Sequence, residues 1–263
     1  MAGHSSPDRV PVIFSSYSGL GELHAFVPHG DGHINDTFLL TCRKDGVDSR
    51  YILQHINREV FKDPLRVMRN FQKVTRHLRR RLEAEQVPDL GRKVLTLIPN
   101  ASGDSQTLGP DGEVWRLVNY VADTCSHNVV DDERKACEAG RAFGRFQELL
   151  SDLPGTELEE TIPDFHHTPR RLDALRRARE QDFHGRACEV GRELEYALAQ
   201  ADVVGKVTDG LASGAIPNRI THNDTKLNNV LLDVASGEAV APWGTVASCG
   251  AGPPRISASM RRR

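Results

Sequence analysis

A short polar segment around residue 222 carries the residue types and spacing that phosphoryl transfer needs. The eight residues HNDTKLNN contain His222, Asp224 and Asn229 and run directly into the apolar residues VLL. A carboxylate can accept the proton of an attacking hydroxyl, and an asparagine amide oxygen can hold a metal ion on the phosphates. A separation of five residues lets one loop present both groups to one ligand. The alternative is a polar turn whose Asp and Asn only satisfy backbone groups.

Each polar residue of the segment has a separate expected role. Asp224 is the predicted base and Asn229 the predicted metal ligand. His222 is expected to brace the loop through hydrogen bonds rather than to take part in the chemistry. A loop can aim side chains in this way only when regular structure holds both of its ends.

The first half of the chain reads as a β-rich part with one helix. Asp63 followed by Pro64 predicts a helix start, and an apolar stripe at spacings of three and four continues to residue 82. Three strands before this helix and two after it predict an α+β lobe built on a five-stranded antiparallel sheet. The predicted strands are residues 23–28, 37–42, 50–56, 93–99 and 113–121.

A turn between the first two strands, HGDGHIND, contains Gly30 and Gly32. Glycine lets backbone N–H groups approach an anion closely, so this turn is a candidate phosphate cover. An ordinary hairpin loop is the alternative interpretation of the same residues.

The chain between residue 122 and the polar segment reads as helical. Acidic residues 131–133 suit a helix start, and that helix is expected to end near Pro154. A second helix is predicted over residues 168–180 with Thr168 as its N-cap, and one or two more over residues 189–211.

Composition limits the class of protein. The chain has 263 residues, 38% of them hydrophobic and 27% charged, with a formal net charge of −2. We therefore expect a globular protein with no nucleic acid or membrane partner. The five cysteines form no CxxC pair, and neither a signal peptide nor a membrane span is recognisable, so a reducing, cytoplasmic location is expected.

Three separated motifs together resemble one kinase family. HNDTKLNNVLLD is similar to the catalytic loop of the aminoglycoside phosphotransferase-like kinases. With GHINDTFLL and YILQHIN-x-x-VFKDP, the chain over about residues 20–240 more narrowly resembles the N-acetylhexosamine 1-kinases of that superfamily. The resemblance implies a protein-kinase-like two-lobe fold, with ATP and Mg²⁺ as cofactors.

The resemblance also implies residue roles. Asp224 would activate the anomeric hydroxyl of a sugar, Asn229 would bind magnesium, and His33 would lie near the sugar. Gly30 and Gly32 would cover the phosphates. The linker at residues 119–122 would meet the adenine through Asn119, Tyr120 and Val121. Gln54 stands where many kinases have a phosphate-binding lysine, and a neutral amide can still donate a hydrogen bond to phosphate.

The C-terminal region departs from the family pattern. Residues 239–263 contain no Asp or Glu, so the second metal-binding aspartate expected after the catalytic loop is missing. We expect a β-rich lobe over residues 1–118, an incomplete helical lobe over residues 119–240, and a disordered, divergent tail over residues 241–263. A genuine basic arm is the alternative for the tail.

The resulting functional prediction is an ATP-dependent phosphotransferase that phosphorylates the anomeric hydroxyl of an N-acetylhexosamine. Two alternatives stay open. The chain could be a truncated pseudokinase that at most binds nucleotide, or a kinase of the same superfamily that acts on an aminoglycoside or an amino alcohol. Neither the acceptor nor the oligomeric state follows from the sequence.

Overall fold

The computed structural model describes residues 7–30, 34–241 and 250–252. It has the predicted α+β class, with a five-stranded antiparallel sheet in the N-terminal part and mostly helices after it. The order of strands in this sheet is β1-β2-β3-β5-β4. The five strands are β1 (Glu22–Pro28), β2 (Thr37–Lys44), β3 (Val47–Ile56), β4 (Thr107–Leu108) and β5 (Val114–Asn119).

The hairpin between β2 and β3 follows directly from its turn residues. Asp45 and Gly46 both have positive φ, 53° and 79°, which is the conformation of a two-residue type I′ turn. In β2 the side chains of Phe38, Leu40 and Cys42 alternate into the core. A short helix, α1 (Arg9–Phe14), packs its apolar side chains into the same cluster.

The identity of the fifth strand differs from the prediction. Residues 93–99 were predicted as a strand, but only Leu97 bridges to Val118, and the turn-rich segment before β5 supplies β4 instead. The segment around Leu97 runs beside β5 and turns away from it at Asn100. The Oδ1 atom of Asn100 accepts hydrogen bonds from the backbone N–H groups of Ser102 and Asp104. This local turn ends the pairing after one bridge, and β4 takes the remaining edge of β5.

The long helix predicted after Asp63 is present as α2 (Pro64–Ala84), and the Asp63 carboxylate accepts the N–H of Arg66 as an N-cap. Most of the predicted stripe is buried, although Leu65 at the first turn is exposed. A further turn of helix, α3 (Leu90–Lys93), precedes the segment that touches β5. Both helices pack on the face of the sheet that carries Ile52 and Val118.

The second part of the chain contains five α-helices within the described residues. The predicted helix after the acidic residues is α4, and Asp132 is its N-cap. The N-cap of α5 is His167, whose ring nitrogen accepts the N–H of Arg170, so the assignment of that cap to Thr168 was wrong. The five helices are α4 (Glu133–Leu149), α5 (Thr168–Gln181), α6 (Gly191–Ala199), α7 (Ala201–Val204) and α8 (Lys206–Ala212).

Two small sheets surround the polar segment. One has the order β6-β8-β9, and the other is an antiparallel pair of β7 and β10. Gly250–Gly252 thus pair with β7. The other residues of the predicted tail, 242–249 and 253–263, lie outside the described residues, so the disorder expected there stays a prediction. The strands are β6 (Thr124–Cys125), β7 (Arg219–Thr221), β8 (Leu231–Asp233), β9 (Ala239–Ala241) and β10 (Gly250–Gly252).

One hydrophobic cluster connects the sheet part to the helical part. It contains Phe71 and Val74 of α2, Val118 of β5 and Phe146 of α4, and it extends to Ile220 of β7. The polar segment therefore begins one residue after a strand that is anchored in the same core as α2 and β5. No described helix is long and apolar enough to cross a lipid bilayer. The four cysteines in the described ranges form no disulfide.

Candidate active site

The backbone of the polar segment is tightly folded. β7 ends at Thr221, whose hydroxyl donates a 2.6 Å hydrogen bond to Asn223 Oδ1. Asn223 adopts a left-handed conformation with φ of 61°, which turns the chain sharply before Asp224. A single 3-10 turn at Leu227–Asn229 then leads into β8. Regular structure thus holds both ends of the loop, as a site that aims side chains requires.

The loop brings the predicted base and the predicted metal ligand into contact. The Asn229 side-chain Nδ2 donates to Asp224 Oδ2 at 2.8 Å and to the Asp224 backbone carbonyl at 2.7 Å. Asn229 is only 6% exposed, whereas the Asp224 side chain is 36% exposed. Asn229 therefore fixes the carboxylate by its amide nitrogen, while its Oδ1 stays available for another ligand. Lys226 Nζ lies 3.5 Å from the same carboxylate oxygen.

His222 is buried behind this loop. It is 1% exposed, and its ring meets the rings of Phe143 and Phe146 edge-on, with centroid distances of 5.3 and 5.6 Å. Both phenylalanines belong to α4, so the helix forms a wall against which the loop packs. These contacts hold the segment before Asp224 in place, and a ring so enclosed cannot touch a substrate in solution.

Asp233, at the end of β8, anchors the turn that follows the site. Its Oδ1 accepts the backbone N–H groups of Ser236 and Ala235, and its Oδ2 accepts a 2.8 Å hydrogen bond from Arg92 of α3. The Ser236 N–H and then the Arg92 guanidinium hold the pKa of the Asp233 carboxyl well below its ordinary value. The strand β8, which follows the polar segment, is thus fastened to helix α3.

This anchor predicts a pH-dependent contribution to stability. A carboxyl whose pKa is lowered by folding stabilises the protein above its unfolded-state pKa, which is about 3.9 for Asp, and that stabilisation disappears as the pH falls through the folded-state value. We expect Asp233→Asn to lower the urea midpoint of unfolding at pH 7. The difference in midpoint between the variant and the parent protein should narrow steadily below about pH 4. A difference in urea midpoint that stays constant down to low pH would contradict the role of Asp233 as a charged anchor. Asp202→Asn, at an exposed position of α7, serves as the control.

The linker residues expected to meet adenine lie at the end of β5. The Asn119 side chain is occupied, because Oδ1 accepts the N–H of Thr96 and Nδ2 donates to the Gly91 carbonyl, both at 2.7 Å. The N–H of Asn119 is bonded to Thr96 O, and that of Tyr120 to Arg50 O. Val121 is buried in the cluster that joins the two parts. Adenine recognition here would have to use backbone groups other than the N–H of Asn119 and Tyr120.

The start of the glycine turn lies beside this linker. His29 contacts the Tyr120 ring edge-on at 6.0 Å between centroids, and the next residue, Gly30, has φ of 78°. Two of the predicted nucleotide-binding segments therefore converge at Tyr120. Gly32 and His33 lie outside the described residues, so their assigned roles stay predictions.

Gln54 lies in the middle of a polar row across three strands. It pairs with Thr37 of β2 on one side and with Arg116 of β5 on the other. Its Nε2 donates to Thr37 Oγ1 at 2.9 Å, and its Oε1 accepts a hydrogen bond from Arg116 Nε at 3.0 Å. Arg116 was not among the residues predicted from the sequence. The available signal was a single charged residue inside the apolar strand VWRLV.

The oxygen donors of the loop are compatible with a magnesium ion that is held mainly by a nucleotide. Mg²⁺ is commonly bound by one or two carboxylates together with substrate phosphates and water. Asn229 Oδ1 and the Asp224 carboxylate are hard oxygen donors in one loop. Among residues 7–30, 34–241 and 250–252, no group of three or more His, Cys, Asp or Glu side chains could hold a metal ion alone. The two oxygen donors of the loop therefore fit a Mg²⁺ ion that phosphate oxygens would also hold.

Comparison with known proteins agrees with this arrangement of fold and loop. The model of the phosphotransferase enzyme family matches residues 25–241, and the chain belongs to that family. The match covers both the polar row on the sheet and the loop with Asp224 and Asn229.

The chain is also similar to the solved structure of an ethanolamine kinase from Plasmodium vivax. The two share 11% sequence identity, with a TM-score of 0.48. The similarity covers 87% of this chain and 57% of that chain. This chain therefore matches somewhat more than half the length of that kinase.

Proposed function

We propose that this protein transfers the γ-phosphoryl group of ATP to the anomeric hydroxyl of an N-acetylhexosamine. The observation that carries the proposal is the contact between Asp224 and Asn229, which places a carboxylate and a neutral amide side by side in a loop of a phosphotransferase-family chain. The three motifs named above support the sugar as acceptor. An anomeric hydroxyl is also more acidic than an ordinary alcohol, so a carboxylate suffices as its base.

In the proposed reaction the residues of the loop position and deprotonate the acceptor. The sugar oxygen forms a bond to the γ-phosphorus, the bond to the β–γ bridging oxygen breaks, and ADP leaves. The acceptor proton passes to Asp224, whose carboxylate is held by Asn229 Nδ2. Asn229 Oδ1 would hold Mg²⁺, which when bound neutralises charge on the phosphates. His222 keeps the loop seated against α4.

A second candidate is a chain that binds nucleotide but does not turn it over. It is favoured by the absence of Asp and Glu from residues 239–263, because a second carboxylate near the metal would normally contribute to charge stabilisation. A third candidate, phosphorylation of an amino alcohol or an aminoglycoside, uses the same loop with another acceptor.

One pair of assays separates these candidates. We expect ATP with Mg²⁺ to raise the melting temperature, and ³¹P NMR to show a sugar 1-phosphate when N-acetylglucosamine or N-acetylgalactosamine is supplied. Ethanolamine, choline and kanamycin serve as the competing acceptors. Stabilisation by ATP without product from any acceptor would favour the nucleotide-binding candidate. Product from an amine-bearing acceptor alone would replace the sugar in the proposal, and no response to ATP would overturn it.

A further inference from the structure

Arg116 is a buried cation in the sheet, and no described carboxylate forms a salt bridge with it. The residue is 4% exposed, and its guanidinium carbon lies 4.2 Å from the centre of the Phe71 ring of α2. Among the described residues its hydrogen bonds go to Gln54, and its Nη1 atom has no hydrogen-bond partner. Burial lowers the pKa of Arg116 to about 10, so the side chain remains charged at neutral pH. A cation taken out of water normally requires an anion nearby.

The position of Arg116 connects this charge to the candidate phosphate site. Thr37, Gln54 and Arg116 are neighbours across β2, β3 and β5, so all three side chains lie on one face of the sheet. This is the face covered by α2, since Ile52 and Val118 on it pack against that helix. At the other end of the row, Thr37 follows directly from the glycine turn.

Arg116 also determines which way the Gln54 amide faces. An arginine only donates hydrogen bonds, so the Gln54 atom that faces it must be the carbonyl oxygen. The amide nitrogen consequently faces Thr37, where it donates one N–H to Thr37 Oγ1. Its second N–H remains for a ligand. Gln54 is only half-buried, whereas Arg116 is enclosed behind it.

We propose that Arg116 supplies, through Gln54, the positive charge that recognises the phosphates of the nucleotide. This inference rests on the proposed function, because it takes a nucleoside triphosphate as the ligand. Gln54 contacts the phosphate, and Arg116 is a positioning residue that orients the amide, polarises it and adds its own field. The charge that a lysine on β3 would carry is thus relocated to the neighbouring strand β5.

The decisive measurement compares ligands that differ in phosphate content. Calorimetric titrations with Mg²⁺–ATP, ADP and adenosine are made on the parent protein, Arg116→Gln and Gln54→Leu. Because a charge several ångströms from a phosphate still contributes in a protein interior, we expect Arg116→Gln to weaken ATP binding by at least about tenfold. Gln54→Leu should weaken it in the same direction, and adenosine binding should be nearly unchanged in both variants.

A charge-swapped protein and a control variant distinguish recognition from folding. The double variant Gln54→Lys with Arg116→Gln returns the cation to β3, and it should restore most of the ATP affinity lost in Arg116→Gln. The control is Arg43→Gln, which removes the same charge from an exposed position of β2 that is paired with Asp48. It should leave ATP binding unchanged.

The other possible results contradict either the inference about Arg116 or the proposed function. Equal weakening of ATP, ADP and adenosine would show that Arg116 only supports the fold and would overturn the inference alone. Unchanged ATP binding in Arg116→Gln or in Gln54→Leu would do the same. A parent protein that binds none of the three ligands would overturn the proposed function itself. Should Arg116→Gln not fold, Gln54→Leu and the double variant decide, because failure of the phosphate-dependent pattern in either contradicts the proposal.

Discussion

Replacement of Asp224 by asparagine is expected to lower the rate of phosphoryl transfer by about 10²–10⁴-fold, the usual contribution of a positioned general base. Asparagine has the shape of aspartate, and its Oδ1 can still accept the 2.8 Å hydrogen bond from Asn229 Nδ2. The fold of the loop should therefore survive while its basic group is lost. Single-turnover transfer from γ-labelled ATP measures the effect.

Two further readouts make the result specific to Asp224. The affinity for Mg²⁺–ATP should change little, because the loss is at the proton acceptor. Asp202→Asn, at an exposed position of α7, should retain the full rate. Transfer by Asp224→Asn within a factor of about three of the parent rate would show that Asp224 is not the base.

Replacement of Trp115 by alanine is expected to lower the free energy of unfolding by about 3–5 kcal/mol, the usual cost of truncating a buried tryptophan. Trp115 is fully buried on the face of the sheet opposite to Arg116. It stacks on Phe38 with 6.3 Å between ring centroids and lies 5.0 Å from the His55 ring. The cavity left by its removal would lie at the centre of the cluster that attaches α1 to the sheet. Urea unfolding measures the difference.

Two other substitutions of aromatic residues serve as comparisons for Trp115→Ala. Trp115→Phe should cost less than Trp115→Ala, because it keeps a ring and because the indole N–H has no hydrogen-bond partner among the described residues to lose. Tyr196→Ala, at a position that is 72% exposed, should change stability by no more than about 0.5 kcal/mol. A loss at Trp115→Ala as small as that at Tyr196→Ala would show that this cluster is not a stabilising core.

The elements that the sequence predicted well are those specified by local signals. The α2 helix has a capping aspartate, a proline and an apolar stripe, all within its own residues. The turn at Asp45 and Gly46 likewise needs only two residues with positive φ. Local propensity and local pattern agree in both cases, so no tertiary contact was needed to choose between alternatives.

The errors arise where a side-chain hydrogen bond to the nearby backbone, rather than the apolar pattern or the usual capping preference, decided the outcome. Leu97 was placed in a full strand because its neighbours are apolar, but a side-chain turn at Asn100 ends the pairing after one residue. His167 caps α5 with a ring nitrogen, which the ordinary preference for Thr does not anticipate.

In the candidate site, the contact between residues close in sequence was predicted, and the contact between residues distant in sequence was not. The spacing within HNDTKLNN predicted that one loop would carry both Asp224 and Asn229, and their side chains are in contact. The cation that lies beside Gln54 could not be found in this way, because Arg116 is 62 residues away along the chain. Only the register of β3 and β5 brings the two residues together.

The most direct test of the account is a crystal structure of the protein with Mg²⁺ and a non-hydrolysable ATP analogue. We expect Mg²⁺ to be coordinated by Asn229 Oδ1 and the γ-phosphate to face the Asp224 carboxylate. We also expect the triphosphate to pass Gln54. A nucleotide bound elsewhere, or a loop in which Asp224 and Asn229 face away from the triphosphate, would contradict it.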